Sequence, residues 1–180
     1  MNAFESIVAK LLRRQGYWTT TSYKVNLTKD DKIKIGRPSS PRWEVDIVAY
    51  QGATNSILVV ECKSYLDSNG VVFRDGGLSP AKLYKLFTEP ITRQVILSRL
   101  ADQLVEEKLC APNPTVRLGL ATGNISRSTK RDDVKKYFDT NQWVLFDDYW
   151  IKDQLSSLQN TAYENDEAFV AAKLVLRDIK

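Results

Sequence analysis

Two acidic residues and a lysine stand on neighbouring segments that both have the residue pattern of a β-strand. Residues 42–50 (RWEVDIVAY) alternate with a period of two, and residues 56–63 (SILVVECK) form a second apolar segment. The QGATN between them predicts a short hairpin loop. Asp46 lies on the first predicted strand, and Glu61 and Lys63 lie on the second, so the hairpin brings charged groups of both signs together.

The register of this hairpin decides which charged residues face each other. Pairing Tyr50 with Ile57 keeps the apolar side chains of both strands on consistent faces and places Asp46 opposite Glu61. On the second strand one face then carries Ile57, Val59, Glu61 and Lys63, and the other carries Leu58, Val60 and Cys62. On the first, one face carries Glu44, Asp46, Val48 and Tyr50, the other carries Trp43, Val45, Ile47 and Ala49, and Glu44 stands opposite Lys63.

Two directly opposed carboxylates repel each other, and a cation between them removes that cost. Oxygen ligands favour Mg²⁺ or Mn²⁺. Lys63 on the same face can assist the attacking water and stabilise the charge that builds on a phosphate. The constellation of Asp46, Glu61 and Lys63, with Glu44 as a further candidate, therefore suits hydrolysis of a phosphodiester bond. The alternative is a solvated edge hairpin whose charges form ordinary salt bridges.

The composition narrows the chemistry further. The 180 residues contain no histidine, which excludes His-based triads, His metal sites and nucleases that depend on a catalytic histidine. The two cysteines, Cys62 and Cys110, are far apart, so free thiols in a reducing compartment are expected. The N-terminal segment places an acidic residue before its apolar positions and Arg13 and Arg14 after them, unlike a secretory signal. We expect a cytoplasmic protein without a membrane span.

Basic residues form two groups along the chain. The net charge is only +4, but the distribution suggests contact with a polyanion such as DNA. The alternative is a solvated charged surface. The first group is Lys24, Lys29, Lys32, Lys34, Arg37 and Arg42, and the second is Arg127, Lys130, Arg131, Lys135 and Lys136.

The periodicity of apolar residues predicts a single α/β domain with a mixed central sheet flanked by helices, and a C-terminal helical extension from about residue 147 to 180. Residues 28–41 are expected to form a loop or loosely held hairpin, and residues 64–87 an excursion outside the core. Helices are predicted at 2–15, about 88–108, 129–140, about 147–159 and 165–179, and strands at 17–27, 42–50, 56–63, 116–122 and 143–146.

The segment from Asp46 to Glu61-Cys62-Lys63 resembles the D…(D/E)xK signature of the PD-(D/E)xK, or restriction-endonuclease-like, nuclease superfamily. SILVVECK resembles the family's third core strand, and FESIVAKLLRRQGY resembles the opening helix of Mrr-like restriction endonucleases and archaeal Holliday-junction resolvases. LATGNISRSTKRDDVKKYFDTNQWVLFDDYWIKDQL resembles the Mrr-like order of a strand ending in Thr-Gly, a helix, a short strand and a final helix. The resemblance covers about residues 2–63 and 116–155.

This resemblance implies a metal-dependent DNA endonuclease in which Asp46 and Glu61 bind Mg²⁺ or Mn²⁺ and Lys63 assists catalysis. In relatives a glutamate at the place of Glu5 often completes the metal site. The sequence departs from the family in having Val45 where the motif's proline stands, and neither Gln94 nor Gln103 is followed by a tyrosine four residues on, as a QxxxY motif requires.

Several functions remain open at this level. The protein could be a restriction or phage-defence nuclease acting with a partner subunit, a structure-selective resolvase, or a catalytically silent DNA-binding module of the same fold. A nuclease that cuts both strands needs two sites, which predicts a homodimer. We favour the helix 165–179 as its interface, on the stripe Phe169, Ala172, Val175, Leu176 and Ile179, with Ala168 and Ala171 permitting close approach. The alternative is that this helix covers one face of the sheet.

Overall fold

A five-stranded mixed sheet in the order β1-β2-β3-β6-β7 runs through the centre of the computed structural model, which describes residues 2–39, 42–162 and 164–176. β1, β2 and β3 pair antiparallel, whereas β3, β6 and β7 pair parallel. The predicted α/β class with a mixed sheet flanked by helices is therefore confirmed. The sheet strands are β1 (Trp18–Val25), β2 (Trp43–Gln51), β3 (Ser56–Lys63), β6 (Thr115–Thr122) and β7 (Val144–Phe146).

A small antiparallel hairpin and seven helices surround the sheet within the described residues. Predicted and observed elements of the sheet and its covering helices agree to within two residues at each end, except for the last helix, whose predicted end lies outside the described residues. The hairpin is β4 (Val72–Arg74) and β5 (Gly77–Ser79). The helices are α1 (Ala3–Arg14), α2 (Lys29–Lys34), α3 (Lys85–Thr88), α4 (Pro90–Glu106), α5 (Arg131–Thr140), α6 (Asp148–Ser157) and α7 (Glu167–Leu176).

The sheet separates two apolar clusters. On one face Ile57 and Val59 of β3 pack with α4 and α5. On the other face Leu58 and Val60 pack with the apolar stripe of α1. Because β3 is covered on both faces, its continuous apolar run is explained by burial on both sides.

The first helix begins and ends where local chemistry requires it. The Asn2 side chain accepts a hydrogen bond from the Glu5 backbone N–H, and the Glu5 carboxylate accepts one from the Asn2 backbone N–H. This capping box satisfies two N–H groups at the helix start. Gly16, with φ of +87°, follows the last turn and allows the chain to turn into β1.

The prediction that residues 28–41 form a loop or hairpin is wrong for the first part of that segment. Thr28 and Asp31 form a second capping box, which starts the short helix α2. The Arg99 guanidinium lies 3.3 Å from the Asp31 carboxylate and ties α2 to α4. Because none of the side chains of α2 is buried, the sequence carries no apolar stripe that could have indicated this helix.

The prediction that residues 64–87 lie outside the core is also wrong. After β3 this segment returns to the sheet and contributes several side chains to the apolar cluster shared with α4 and α5. The Phe87 ring, for example, lies 5.4 Å from the Phe138 ring and 5.2 Å from the Trp143 ring, measured between centroids. The buried residues of the segment are Val71, Leu78, Tyr84, Leu86 and Phe87.

Among the described residues, no helix combines the length and the apolar character that crossing a membrane requires.

Replacing Phe87 with alanine tests whether this segment belongs to the core. Phe87 is 3% exposed, so we expect Phe87→Ala to lower the free energy of unfolding by about 3–5 kcal/mol, measured by denaturant titration. Leu66→Ala is the matched control, since Leu66 lies in the same segment and is 71% exposed. The control should change stability by less than about 0.5 kcal/mol. Equal effects of the two substitutions would contradict a core role for the segment.

Candidate active site

The register predicted for the β2–β3 hairpin is confirmed. Tyr50 pairs with Ile57, and the ladder continues to Ile47 opposite Val60. Asp46 and Glu61 occupy the next position, just beyond the last paired residues. Their placement beside each other at the end of the ladder follows directly from this register.

The predicted alternation of β2 is wrong at Asp46. Ile47 packs on the α1 face, but Val45 packs in the opposite cluster with Val48. The partner strand shows the cause: β1 pairs with β2 on either side of Ser22 and Asp46, and Ser22 has φ of +52°. Such a left-handed conformation is uncommon for a residue other than glycine and interrupts the pleat. The side chains of β2 therefore change faces at Asp46, and Trp43 packs against the same cluster as Val45.

Where the backbone pairing of β2 and β3 stops, the Asp46 side chain takes the place of a backbone acceptor. Its Oδ2 accepts a hydrogen bond of 2.7 Å from the backbone N–H of Cys62. A carboxylate held by a backbone donor has a defined position and little freedom to rotate away. This contact fixes Asp46 against the strand that carries Glu61.

The surroundings of Glu61 disfavour its ionised form. Its side chain is 16% exposed, and burial together with the negative charge of Asp46 raises the pKa of Glu61 from 4.5 to about 7. The Lys63 ammonium, 3.7 Å from Glu61 Oε2, opposes this increase. Two carboxylates and one lysine therefore share a site in which the negative charge is incompletely compensated.

Glu5 approaches this region from the helix side of the sheet. Its carboxylate accepts hydrogen bonds from both nitrogens of Asn2, at 3.1 and 2.6 Å, in the capping box of α1. Burial raises the pKa of the Cys62 thiol, and the negative charges of Asp46, Glu5 and Glu61 raise it further. Cys62 is buried among apolar side chains, as expected for a small core residue.

The pair of Asp46 and Glu61 could hold a hard divalent cation. Within the ranges that the structure describes, no three Asp, Glu or Cys side chains are grouped as a ready protein cage for a metal ion. Mg²⁺ does not require such a cage, since it keeps several waters and is bound by one or two carboxylates plus substrate phosphates. A cation between Asp46 and Glu61 would also favour the ionised form of Glu61 that their mutual repulsion disfavours.

Asp46 and Glu61 line a cleft of about 260 Å³ whose walls carry positive charge. Arg37 and Arg42 come from the predicted basic segment, and Arg37 stacks on the Trp43 ring at 4.9 Å. Lys82 and Lys85 come from the segment before α4, and the sequence did not predict them as part of the site. The two lysines are three residues apart in PAKLYKLF, but no local pattern indicates that they reach the cleft. The complete lining is Arg37, Arg42, Trp43, Glu44, Asp46, Glu61, Lys82, Leu83, Lys85 and Leu86.

Glu44 is exposed and lines the cleft, where it pairs in register with Lys24 of β1. The β2–β3 ladder ends before the position at which Glu44 was predicted to face Lys63. Glu44 therefore lies at the cleft wall and not in the predicted cross-strand pair.

Three lysines of the first basic group lie on α2. Lys29 and Lys34 are exposed and Lys32 is partly exposed, and none of the three lines the cleft. They lie on the segment that leads into Arg37 and could contact a polymer only beyond the cleft itself.

The residues of the second basic group have different surroundings. Arg131 donates to Asp147 and Asp148 at 2.8 Å each and stacks on Tyr149 at 4.0 Å, so it joins α5 to the start of α6. Arg127 and Lys130 are exposed in the loop after β6. Lys63 pairs in register with Thr122, which places this loop at the same edge of the sheet as the candidate site.

Gln103 has a structural position. Its buried side chain binds the backbone of Asn26 and Lys24 and the side chains of Tyr23 and Glu107. It therefore fastens β1 to α4 and lies away from the cleft.

Comparisons with known proteins add no family. No family model matches the chain, and no curated protein matches it. A solved structure described as "Crystal Structure of Protein of Unknown Function AF1548" is similar at 16% sequence identity and a TM-score of 0.49. The similarity covers 98% of this chain and 78% of that chain, whose function is unknown.

Replacing Glu61 with glutamine tests whether the negative charge of Glu61 destabilises the folded protein. Because the folded-state pKa of about 7 lies above the ordinary 4.5, the folded state loses stability as pH rises from 4.5 to 7. Without divalent ions, Glu61→Gln should therefore stabilise the protein at pH 8 by on the order of 1–3 kcal/mol, and most of this gain should disappear at pH 4.5. Thermal unfolding at both pH values measures the difference.

The exposed Glu44→Gln removes the same charge from the cleft wall and is the control. It should show little change in stability at either pH. A gain from Glu61→Gln that is the same at pH 4.5 and pH 8 would contradict a charge-based cause.

Proposed function

We propose that this protein is a metal-dependent endonuclease of the PD-(D/E)xK type that hydrolyses phosphodiester bonds in DNA. The observation that carries the proposal is the arrangement at the end of the β2–β3 ladder. Asp46 and Glu61 are adjacent, Lys63 lies 3.7 Å from Glu61, and all three are at or beside a cleft with basic walls. Carboxylates, a hard cation and a lysine form a set of groups suited to attack on a phosphodiester.

Each of the three residues has a distinct task in this proposal. Asp46, held by the Cys62 N–H, and Glu61 would bind Mg²⁺ or Mn²⁺. When bound, the metal would polarise a phosphoryl oxygen and offset the charge that develops in the transition state. Lys63 would donate to the phosphate and stabilise the same charge from the protein side.

Two further features support the assignment. The order of elements agrees with the resemblance to Mrr-like nucleases: a helix carrying Glu5, the hairpin, a strand ending in Thr122-Gly123, a helix, a short strand and a final helix. The cations Arg37 and Arg42 at the cleft suit a substrate with phosphates on its surface. Phosphate contacts of this kind position DNA without reading its sequence.

Specificity for a particular DNA would then come from contacts other than those to the phosphates. In a restriction or phage-defence system it would be supplied by the basic segment or by a partner subunit, whereas in a resolvase it would come from the shape of a junction. A catalytically silent binding module would retain DNA affinity without cleavage. These three functions differ in the substrate that is cut, so a substrate panel separates them.

Substitution of the site residues should abolish cleavage while the fold persists. Asp46→Asn keeps an acceptor for the Cys62 N–H but removes the charge, and Lys63→Met removes the ammonium. We expect each to lower Mg²⁺-dependent cleavage about 100-fold or more. The control is Glu106→Gln, which removes an exposed carboxylate of α4. The assay should use linear duplex, supercoiled, single-stranded and four-way-junction DNA, with Mg²⁺ and with Mn²⁺.

Circular dichroism of the same preparations establishes that the variants are folded. A wild-type protein that cuts none of the four substrates, or folded variants that cut as well as wild type, would show that the nuclease assignment is wrong.

We also propose that the working form is a homodimer, since each chain contributes one candidate site and cutting two strands requires two. Part of the predicted interface stripe is used within the chain: Phe169 is buried beneath Lys10 and Arg14, and Ala172 packs beside it. Leu174 and Val175 remain 68% and 71% exposed on α7. Ile179, the last residue of the predicted stripe, lies outside the described residues.

Light scattering at micromolar concentration tests the dimer. We expect wild type to have twice the chain mass of 20.5 kDa and the double variant Leu174→Lys, Val175→Lys to shift towards one chain mass. Leu66→Lys, at an exposed apolar residue of another segment, is the control and should leave the mass unchanged. A monomeric wild type that makes double-strand breaks one enzyme at a time would contradict the symmetry argument.

A further inference from the structure

Two separate chain segments supply the positive charge of the cleft. Arg37 and Arg42 precede β2, whereas Lys82 lies in the short 3-10 turn Ala81–Leu83 and Lys85 begins α3. The second pair lies within residues 64–87, outside the ranges 2–63 and 116–155 over which the sequence resembles Mrr-like nucleases. Its position beside Asp46 and Glu61 is a product of the fold rather than of the motif.

The four cations are free of ionic partners within residues 2–39, 42–162 and 164–176. None of the four forms a salt bridge within these residues, although Glu44, Asp46 and Glu61 line the same cleft. Arg37 stacks on the face of the Trp43 ring, which leaves its charge without an anionic partner there. Four positive charges therefore stand beside three carboxylates without being neutralised by direct contact. A divalent cation on the carboxylates would make the cleft strongly positive.

The turn that carries the lysines is held on a firm base. Tyr84, Leu86 and Phe87 are buried beneath it. The Thr88 hydroxyl lies 3.0 Å from the carbonyl oxygens of both Ala81 and Tyr84.

The next helix braces the same turn. The Arg93 guanidinium of α4 donates to the carbonyl oxygens of Leu86 and Phe87 at 3.2 Å each. A short irregular segment with this many anchors presents its outward side chains in a reproducible place, as a recognition surface requires.

We propose that Lys82 and Lys85 are substrate-positioning residues that bind the phosphates next to the scissile bond, and that the cleft therefore takes a continuous nucleic-acid strand rather than a nucleotide or free phosphate. This inference rests on the nuclease function proposed above. Two pairs of cations from separate segments, around one pair of carboxylates, offer contacts for more than one phosphate at a time. A single phosphate group could engage only part of that surface.

The double variant Lys82→Gln, Lys85→Gln tests the role of this segment. The matched control is Lys108→Gln, Arg117→Gln, which removes two exposed positive charges near the hairpin-loop end of the sheet, away from Asp46 and Glu61. Binding of a fluorescent 20-nucleotide single strand and of the corresponding duplex is followed by anisotropy at several salt concentrations. Ca²⁺ replaces Mg²⁺ to keep the strands intact, and cleavage kinetics are measured separately with Mg²⁺.

We expect the variant Lys82→Gln, Lys85→Gln, called the lysine variant below, to bind either form of DNA at least tenfold more weakly than wild type in about 0.1 M salt. The slope of log affinity against log salt should become shallower by the loss of one to two phosphate contacts. Each contact contributes about 0.7 to the slope for a single strand and about 0.9 for a duplex. KM should rise while kcat changes less than threefold, and Lys82→Arg, Lys85→Arg should restore affinity to within threefold. The control variant should stay within twofold of wild type throughout, and mononucleotide or inorganic phosphate at equal phosphate concentration should not displace the strand.

The outcomes separate this inference from the function on which it rests. A wild type that binds and cuts DNA, with a lysine variant that matches the control in affinity and salt slope, would overturn the role of Lys82 and Lys85 and leave the nuclease standing. Displacement of the strand by mononucleotide at equal phosphate concentration would overturn the preference for a polymer. A folded wild type that neither binds nor cuts DNA would overturn both.

Discussion

Burial of β3 on both faces is the constraint on which the structure depends. Ile57 and Val59 pack under α4 and α5, and Leu58 and Val60 pack under α1, so the strand cannot slip by one residue without exchanging its two faces. The same strand pairs with β2 on one side and with β6 on the other. Its register therefore sets the position of the hairpin, of the parallel half of the sheet and of Glu61 at its carboxyl end.

The candidate site is costly for the fold that carries it. Glu61 is largely buried beside a second carboxylate, and the nearby lysine offsets only part of the repulsion. A structure selected for stability alone would place an apolar side chain here, as it does at Val59 two residues earlier. Retention of like charges in a semi-buried position is typical of functional sites, where a substrate or a cation supplies the missing compensation.

The segment between β3 and α4 combines a packing role with a place at the cleft. Tyr84, Leu86 and Phe87 fill the core, while Lys82 and Lys85 beside them line the cleft. Alternation of buried and outward side chains along a short turn couples the two roles, because the buried side chains hold the backbone from which the lysines project. A segment of this kind can alter what a cleft binds without disturbing the carboxylates that line it.

The sequence by itself determined the sheet, its covering helices and the adjacency of Asp46 and Glu61, because apolar periodicity and two-sided burial are local signals that constrain register. It did not indicate α2, which buries none of its side chains and so has no stripe. The sequence also did not indicate that the side chains of β2 change faces at Asp46, because this change depends on Ser22 of the neighbouring strand. The tertiary structure decided where the charges lie: Arg131 is held by Asp147 and Asp148, whereas Lys82 and Lys85 reach the cleft. These outcomes depend on contacts between residues distant in the chain, and such contacts leave no periodic trace in the local sequence.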